Sequence, residues 1–100
     1  MAIRSLLKLP VVGYESEAAF LNDLDAMLVI AKGQPGFISV QIWKSHTDTD
    51  PLVYMVESEW EEKADMAGME HQADHEKIMD KYPLAKTITH DRLVRWEAPA

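Results

Sequence analysis

The chain has 100 residues, 47% hydrophobic and 27% charged, with a formal net charge of −7, so the expectation is a single globular domain over residues 1–100. Seventeen acidic residues against ten basic ones argue against a nucleic-acid partner gripped through phosphates and against docking on an anionic membrane. The lack of cysteine removes disulfides, thiol nucleophiles and thiolate metal sites. With no apolar run near the roughly 20 residues of a membrane span and no secretory pattern at Met1-Ala2-Ile3-Arg4, the default location is cytoplasmic.

Ile3 to Val12 reads as a first strand with Ile3, Ser5, Leu7, Leu9 and Val11 on one face, and Pro10, which cannot donate to a ladder, belongs at its end or on a free edge. Gly13 to Ser16 makes a turn, with Ser16 as N-cap and Glu17 in the first turn of a helix that runs to Lys32. Phe20, Leu24, Met27, Leu28 and Ala31 form its apolar stripe. Gly33 stands where a left-handed C-cap residue belongs. Phe37 to Lys44 alternates as a second strand, Ser45 to Pro51 has the polarity of a hairpin loop, and Leu52 to Trp60 is a third strand. Glu61 to Tyr82 reads as one helix interrupted only by Gly68 and ended by Pro83, and Leu84 to Trp96 as a last strand, perturbed near His90-Asp91. The order β-α-β-β-α-β predicts an α+β, ferredoxin-like fold with an antiparallel sheet.

The strands carry more apolar residues than one covered face needs. If Ile38, Val40 and Ile42 face the helices, then Phe37, Ser39, Gln41 and Trp43 lie on the other face, and Val53 and Met55 join them from the third strand. Two helices cover one face of a four-stranded sheet. A second copy of the same sheet is the expected cover for the other, which predicts a homodimer.

Chemistry-bearing residues are few. His71 and His75 are the one pair of histidines at i, i+4 spacing, continuing the stripe Ala64, Ala67, His71, His75, Ile78, Tyr82, so both imidazoles are expected to face the sheet. Such a pair suits proton transfer, a pocket wall, or two ligands of a metal or haem. The spacing His71-Gln72-Ala73-Asp74-His75 is not the metalloprotease pattern, and His46 and His90 have no position fixed by the sequence. Trp60 closes the third strand, where an indole can wall a pocket and stack on a flat ligand. Met66, Met69 and Met79 serve either as gap-fillers or as a soft lining. The acidic run from Glu57 to Glu76 reads as a solvated helix face. No glycine-rich phosphate loop, nucleophile elbow, or flavin or nicotinamide fingerprint occurs.

Pro35-Gly36-Phe37 after the first helix, the polar loop with Asp50-Pro51, and Leu52 to Trp60 leading directly into a helix with His71 and His75 together resemble the antibiotic biosynthesis monooxygenase (ABM) family. The resemblance runs from Ile3 to Trp96. It implies a homodimer whose two sheets meet in an α+β barrel, each subunit with a pocket between sheet and helices. It further implies, for some members, oxygenation of phenols by molecular oxygen without metal or flavin, and for a related branch haem degradation. That branch places an asparagine on the first strand, a tryptophan at the end of the third and a histidine about ten residues beyond. Trp60 matches and His71 follows by eleven residues, but the chain's one asparagine, Asn22, lies on the first helix.

The resemblance implies a cofactor-independent monooxygenase, expected to act on a small aromatic phenol or hydroquinone. His71 or His75 would serve as base and Trp60 as stacking wall, with Tyr54, Met66 and Trp43 lining the cavity. The expected partners are a second copy of the chain, a small aromatic or apolar molecule and molecular oxygen, with no metal and no cofactor. The alternatives are a non-catalytic small-molecule-binding or stress-associated protein, a haem-degrading enzyme, and an isomerase of the muconolactone type.

Overall fold

Residues 2–82 and 88–96 are described by the structure, a computed structural model; the expected helix stop at Pro83 and strand start at Leu84 lie outside them. Strand β1 (Ile3–Pro10) ends on its proline and is followed by helix α1 (Glu17–Lys32), strands β2 (Phe37–Thr49) and β3 (Leu52–Trp60), helices α2 (Lys63–Glu70) and α3 (Ala73–Lys81), and strand β4 (His90–Leu93). The strands form one antiparallel sheet in the order β2-β3-β1-β4, the expected ferredoxin-like arrangement. Ser16 caps α1 as its residue type predicts, its hydroxyl accepting the Ala19 N–H at 3.1 Å.

Four local expectations are corrected. Gly33 ends α1 in a right-handed conformation (φ −85°); the left-handed glycine of this connection is Gly36 (φ 81°), three residues on in the turn before β2. The polar stretch Ser45–Thr49 continues β2 rather than looping, leaving only Asp50 and Pro51 between the paired residues Thr49 and Leu52. A bulge at Ile38 shifts the register between Phe37 and Ser39, and the extra residue reverses the alternation. Phe37 therefore packs beside Trp60 under the helices while Ile38 is exposed. Finally, the second helix breaks at His71-Gln72, where Gln72 takes an extended conformation (ψ 134°) and α3 starts anew.

On the helix side, Leu9, Phe20, Leu24, Tyr54 and Tyr82 form one buried cluster and Ala31, Trp60 and Met66 a second. The C-terminal end of α3 is tied down by polar bonds. Lys81 Nζ and the Tyr14 hydroxyl both donate to the Asp23 carboxylate, at 3.2 and 2.8 Å, and the Tyr82 hydroxyl donates to the Pro10 carbonyl. Burial pushes the Tyr14 and Tyr82 phenols up to about 12, so both remain neutral donors at physiological pH.

Candidate functional site

Strand register explains where the molecule is hollow. Opposed residues of an antiparallel sheet share a face. Beneath the helices one row runs Phe37, Trp60, Ile3 and another Ile42, Val56, Leu7, His90, while the row between them is Val40, Ser58, Ser5, Arg92. Two serines and a valine are too short to meet the helices that the flanking rows support. Above them lies a cavity of about 110 Å³. Its floor includes Ser5, Ser58 and Trp60, and its roof is softened by Met27, Met66, Met69 and Met79.

The polar groups of the cavity are Ser5, Ser58, Glu70, His75 and His90. Trp60 is fully buried, and its indole N–H donates to Ser58 Oγ at 3.0 Å, which leaves the ring itself as the wall. Ser5 Oγ and His90 Nε2 are 2.6 Å apart. The Glu70 carboxylate, which acts on both imidazoles, accepts from Arg92 Nη2 at 3.0 Å. Burial lowers the His75 imidazole below its ordinary 6.5, against the raising influence of Glu70 and Glu76. Burial lowers His90 likewise, against Glu70. Both rings are therefore neutral at pH 7 and able to accept a proton. Among the described residues, no three His, Asp or Glu side chains are gathered as a metal site.

Of the residues singled out from the sequence, the structure brings Trp60, Met66 and His75 to this cavity. His71 is a correction. Its side chain is 81% exposed, 3.8 Å from Glu76, because the break after α2 puts it at the C-cap and ends the common face it would share with His75 on a continuous helix. Tyr54 is also corrected: it is buried in the neighbouring cluster against Phe20, at a centroid distance of 5.5 Å, and not at the cavity. Trp43 is 55% exposed on the outer face of the sheet. His90 has no signal in the sequence beyond its residue type, since its place depends on pairing with a strand more than eighty residues earlier. Ser5 did have one: it is the single polar residue in the stripe Ile3, Ser5, Leu7, Leu9.

The chain belongs to the antibiotic biosynthesis monooxygenase family, whose sequence pattern matches residues 12–81. No curated protein matches it in sequence. Among solved structures it is similar to SnoaB, a cofactor-independent oxygenase from Streptomyces nogalater, with a TM-score of 0.80 at 14% identity over 97% of this chain and 95% of that one. Rv0793 from Mycobacterium tuberculosis superposes with a TM-score of 0.77 at 12% identity, covering both chains fully. The hydroxynitrile lyase of Passiflora edulis gives 0.71 at 10% identity over 99% of this chain and 96% of that one. At such identities the likeness is one of fold, and that fold carries more than one chemistry.

Proposed function

We propose that this member of the antibiotic biosynthesis monooxygenase family is a cofactor-independent monooxygenase whose substrate is a single-ring phenol or hydroquinone. The observation that carries the proposal is an apolar cavity walled by Trp60 and bordered by two neutral imidazoles. Its volume of about 110 Å³ suits one ring, since an engineered cavity of about 150 Å³ binds benzene, and is small beside the 300 Å³ or more of typical pockets for larger ligands. A porphyrin is disfavoured for the same reason, and His71, nearest the family's haem-ligand position, points to solvent.

In the proposed reaction His75 takes a hydroxyl proton, giving a phenolate that can pass electrons to dioxygen without a metal or flavin. For a hydroquinone the balance is hydroquinone plus dioxygen to hydroxyquinone plus water. One oxygen atom forms the new C–O bond, the other leaves in water with the two hydroxyl protons, and the ring hydrogen becomes the new hydroxyl. Trp60 stacks on the ring, and the thioethers of Met66 and its neighbours adapt to substituents. We place the protein in the cytoplasm as a homodimer; no helix among the described residues is long and apolar enough to cross a membrane.

The test is oxygen consumption with a panel of single-ring hydroquinones. His75→Gln is expected to lower turnover by about 100-fold or more, while His71→Gln leaves it unchanged. A His75→Gln enzyme as fast as wild type removes His75 from the chemistry. A non-catalytic binding role is favoured by a different observation: Trp60, Ser5 and Glu70 each already have a polar partner within the protein. Saturable binding of the same compounds with no oxygen uptake would select it.

A further inference from the structure

Ser5 is the one buried polar side chain of the described core, 3% exposed on the central strand. A hydroxyl there has a purpose beyond packing only if something uses it. It borders the cavity, and its bond to His90 Nε2 occupies one of its hydrogen-bonding positions, leaving others for a ligand. A nucleophilic role has no support from the backbone: β1 is paired on both sides at Ser5, with Ser58 and with Arg92, so Ser5 is not on the strand-to-helix turn of a hydrolase nucleophile. What remains for a hydroxyl hydrogen-bonded to an imidazole and open to an apolar cavity is proton transfer.

We propose that Ser5 and His90 form a second proton acceptor of the cavity, in which Ser5 Oγ receives a ligand hydroxyl and, as it takes that proton, hands its own to His90 Nε2. The bonds balance: the ligand O–H breaks, the Ser5 O–H is broken and remade, an N–H forms on His90, and a phenolate and an imidazolium result. The tautomer required has the His90 proton on Nδ1. The dyad rests on the oxygenase reading and completes its stoichiometry. Both hydroxyl protons of a hydroquinone must leave before its two oxygens become carbonyls, His75 accepts one, and His90 through Ser5 accepts the other. The groups around His90 are consistent with a transient positive charge. Glu70 from α2 and Asp91 on its own strand favour it, while Arg92 opposes it, as does the neighbouring His75 once protonated. Arg92 is itself neutralised by Glu70.

The experiment needs no turnover. The probe is 4-nitrophenol, whose phenolate absorbs in the visible, added at a pH one unit below its solution pKa, with binding followed separately by calorimetry. In His75→Gln, where the dyad is the remaining acceptor, bound probe is expected to carry a larger phenolate fraction than free probe at the same pH. Adding Ser5→Ala should lower the phenolate fraction about tenfold or more, a shift of one pKa unit, with the probe still bound, and Ser5→Thr in its place should restore it. Bound probe whose phenolate fraction does not fall in the Ser5→Ala, His75→Gln protein, or is no larger than that of free probe in His75→Gln alone, overturns the dyad and leaves the oxygenase reading standing. Wild-type protein that binds no probe at all overturns both.

Discussion

Gly36 shows how one residue positions the site. Its φ of 81° is reached freely only by glycine, and a Cβ there would stand 2.1 Å from Asp65 Oδ2 in the first turn of α2. Its carbonyl meanwhile accepts the Glu61 N–H at 2.8 Å, locking the turn before β2 to the end of β3. Gly36→Ala is expected to cost about 1–3 kcal/mol, read as a lower urea midpoint, and a second change, Asp65→Ala, should recover only the steric part because the backbone conformation stays strained. Equal stability of Gly36→Ala and wild type would contradict the assigned turn. The two cavity histidines carry a second residue-scale prediction. With folded values below 6.5, the unfolded chain binds more protons, so their contribution holds above about 6.5 and is lost as pH falls below it. Urea midpoints at pH 7 and pH 5 should differ less in His75→Gln than in wild type; an unchanged difference would mean His75 is not desolvated. At this scale the sequence is legible where chemistry is local, as at the Ser16 cap, and silent where it depends on partners distant in the chain, as at His90.

At the scale of elements, the helices and strands follow from periodicity, and the departures come from single insertions and breaks. One extra residue at Ile38 sends Phe37 to the helix side. The break at His71-Gln72 does more for function. A continuous helix from Glu61 to Tyr82 would carry His71 and His75 together, whereas the restarted α3 brings His75 and Met79 to the cavity and leaves His71 in water. The pattern of apolar residues does not reveal that break, because His71 and His75 satisfy the helical spacing whether or not the helix is interrupted. Gly68, the position that looks weakest in the sequence, falls in the last turn of α2 and borders open space, where an added Cβ would meet nothing within 4 Å. Gly68→Ala should therefore stabilise the protein by about 0.4–1 kcal/mol, seen as a higher thermal midpoint. A loss of stability would mean that this turn of α2 needs glycine's freedom.

For the whole molecule, the question is what covers the outer face of the sheet. All three helices lie on the other side. Left outside are Ile38, Trp43 and Leu93, each at least 45% exposed, with Met55 between them and the exposed Trp96 beyond β4. The charges on this face are partly compensated, because Arg4 bridges both Glu57 and Glu59 and leaves the trio one net negative charge, and paired groups are buried at less cost than bare ones. A patch of this kind fits a second copy related by a two-fold axis, each chain offering the same surface, against a repulsion set by −7 on each chain. Wild-type protein is then expected to sediment at twice the mass of one chain at micromolar concentration. Trp43→Glu should shift the equilibrium toward single chains, since it places an unpaired carboxylate in the covered face. Val29→Glu, at a 66% exposed position on α1, should leave the mass unchanged because it lies on the helix side. Higher salt should strengthen the wild-type association by screening the like charges. A wild-type chain that sediments as a monomer under all of these conditions would overturn the dimer, and the exposed tryptophans would then need a different occupant.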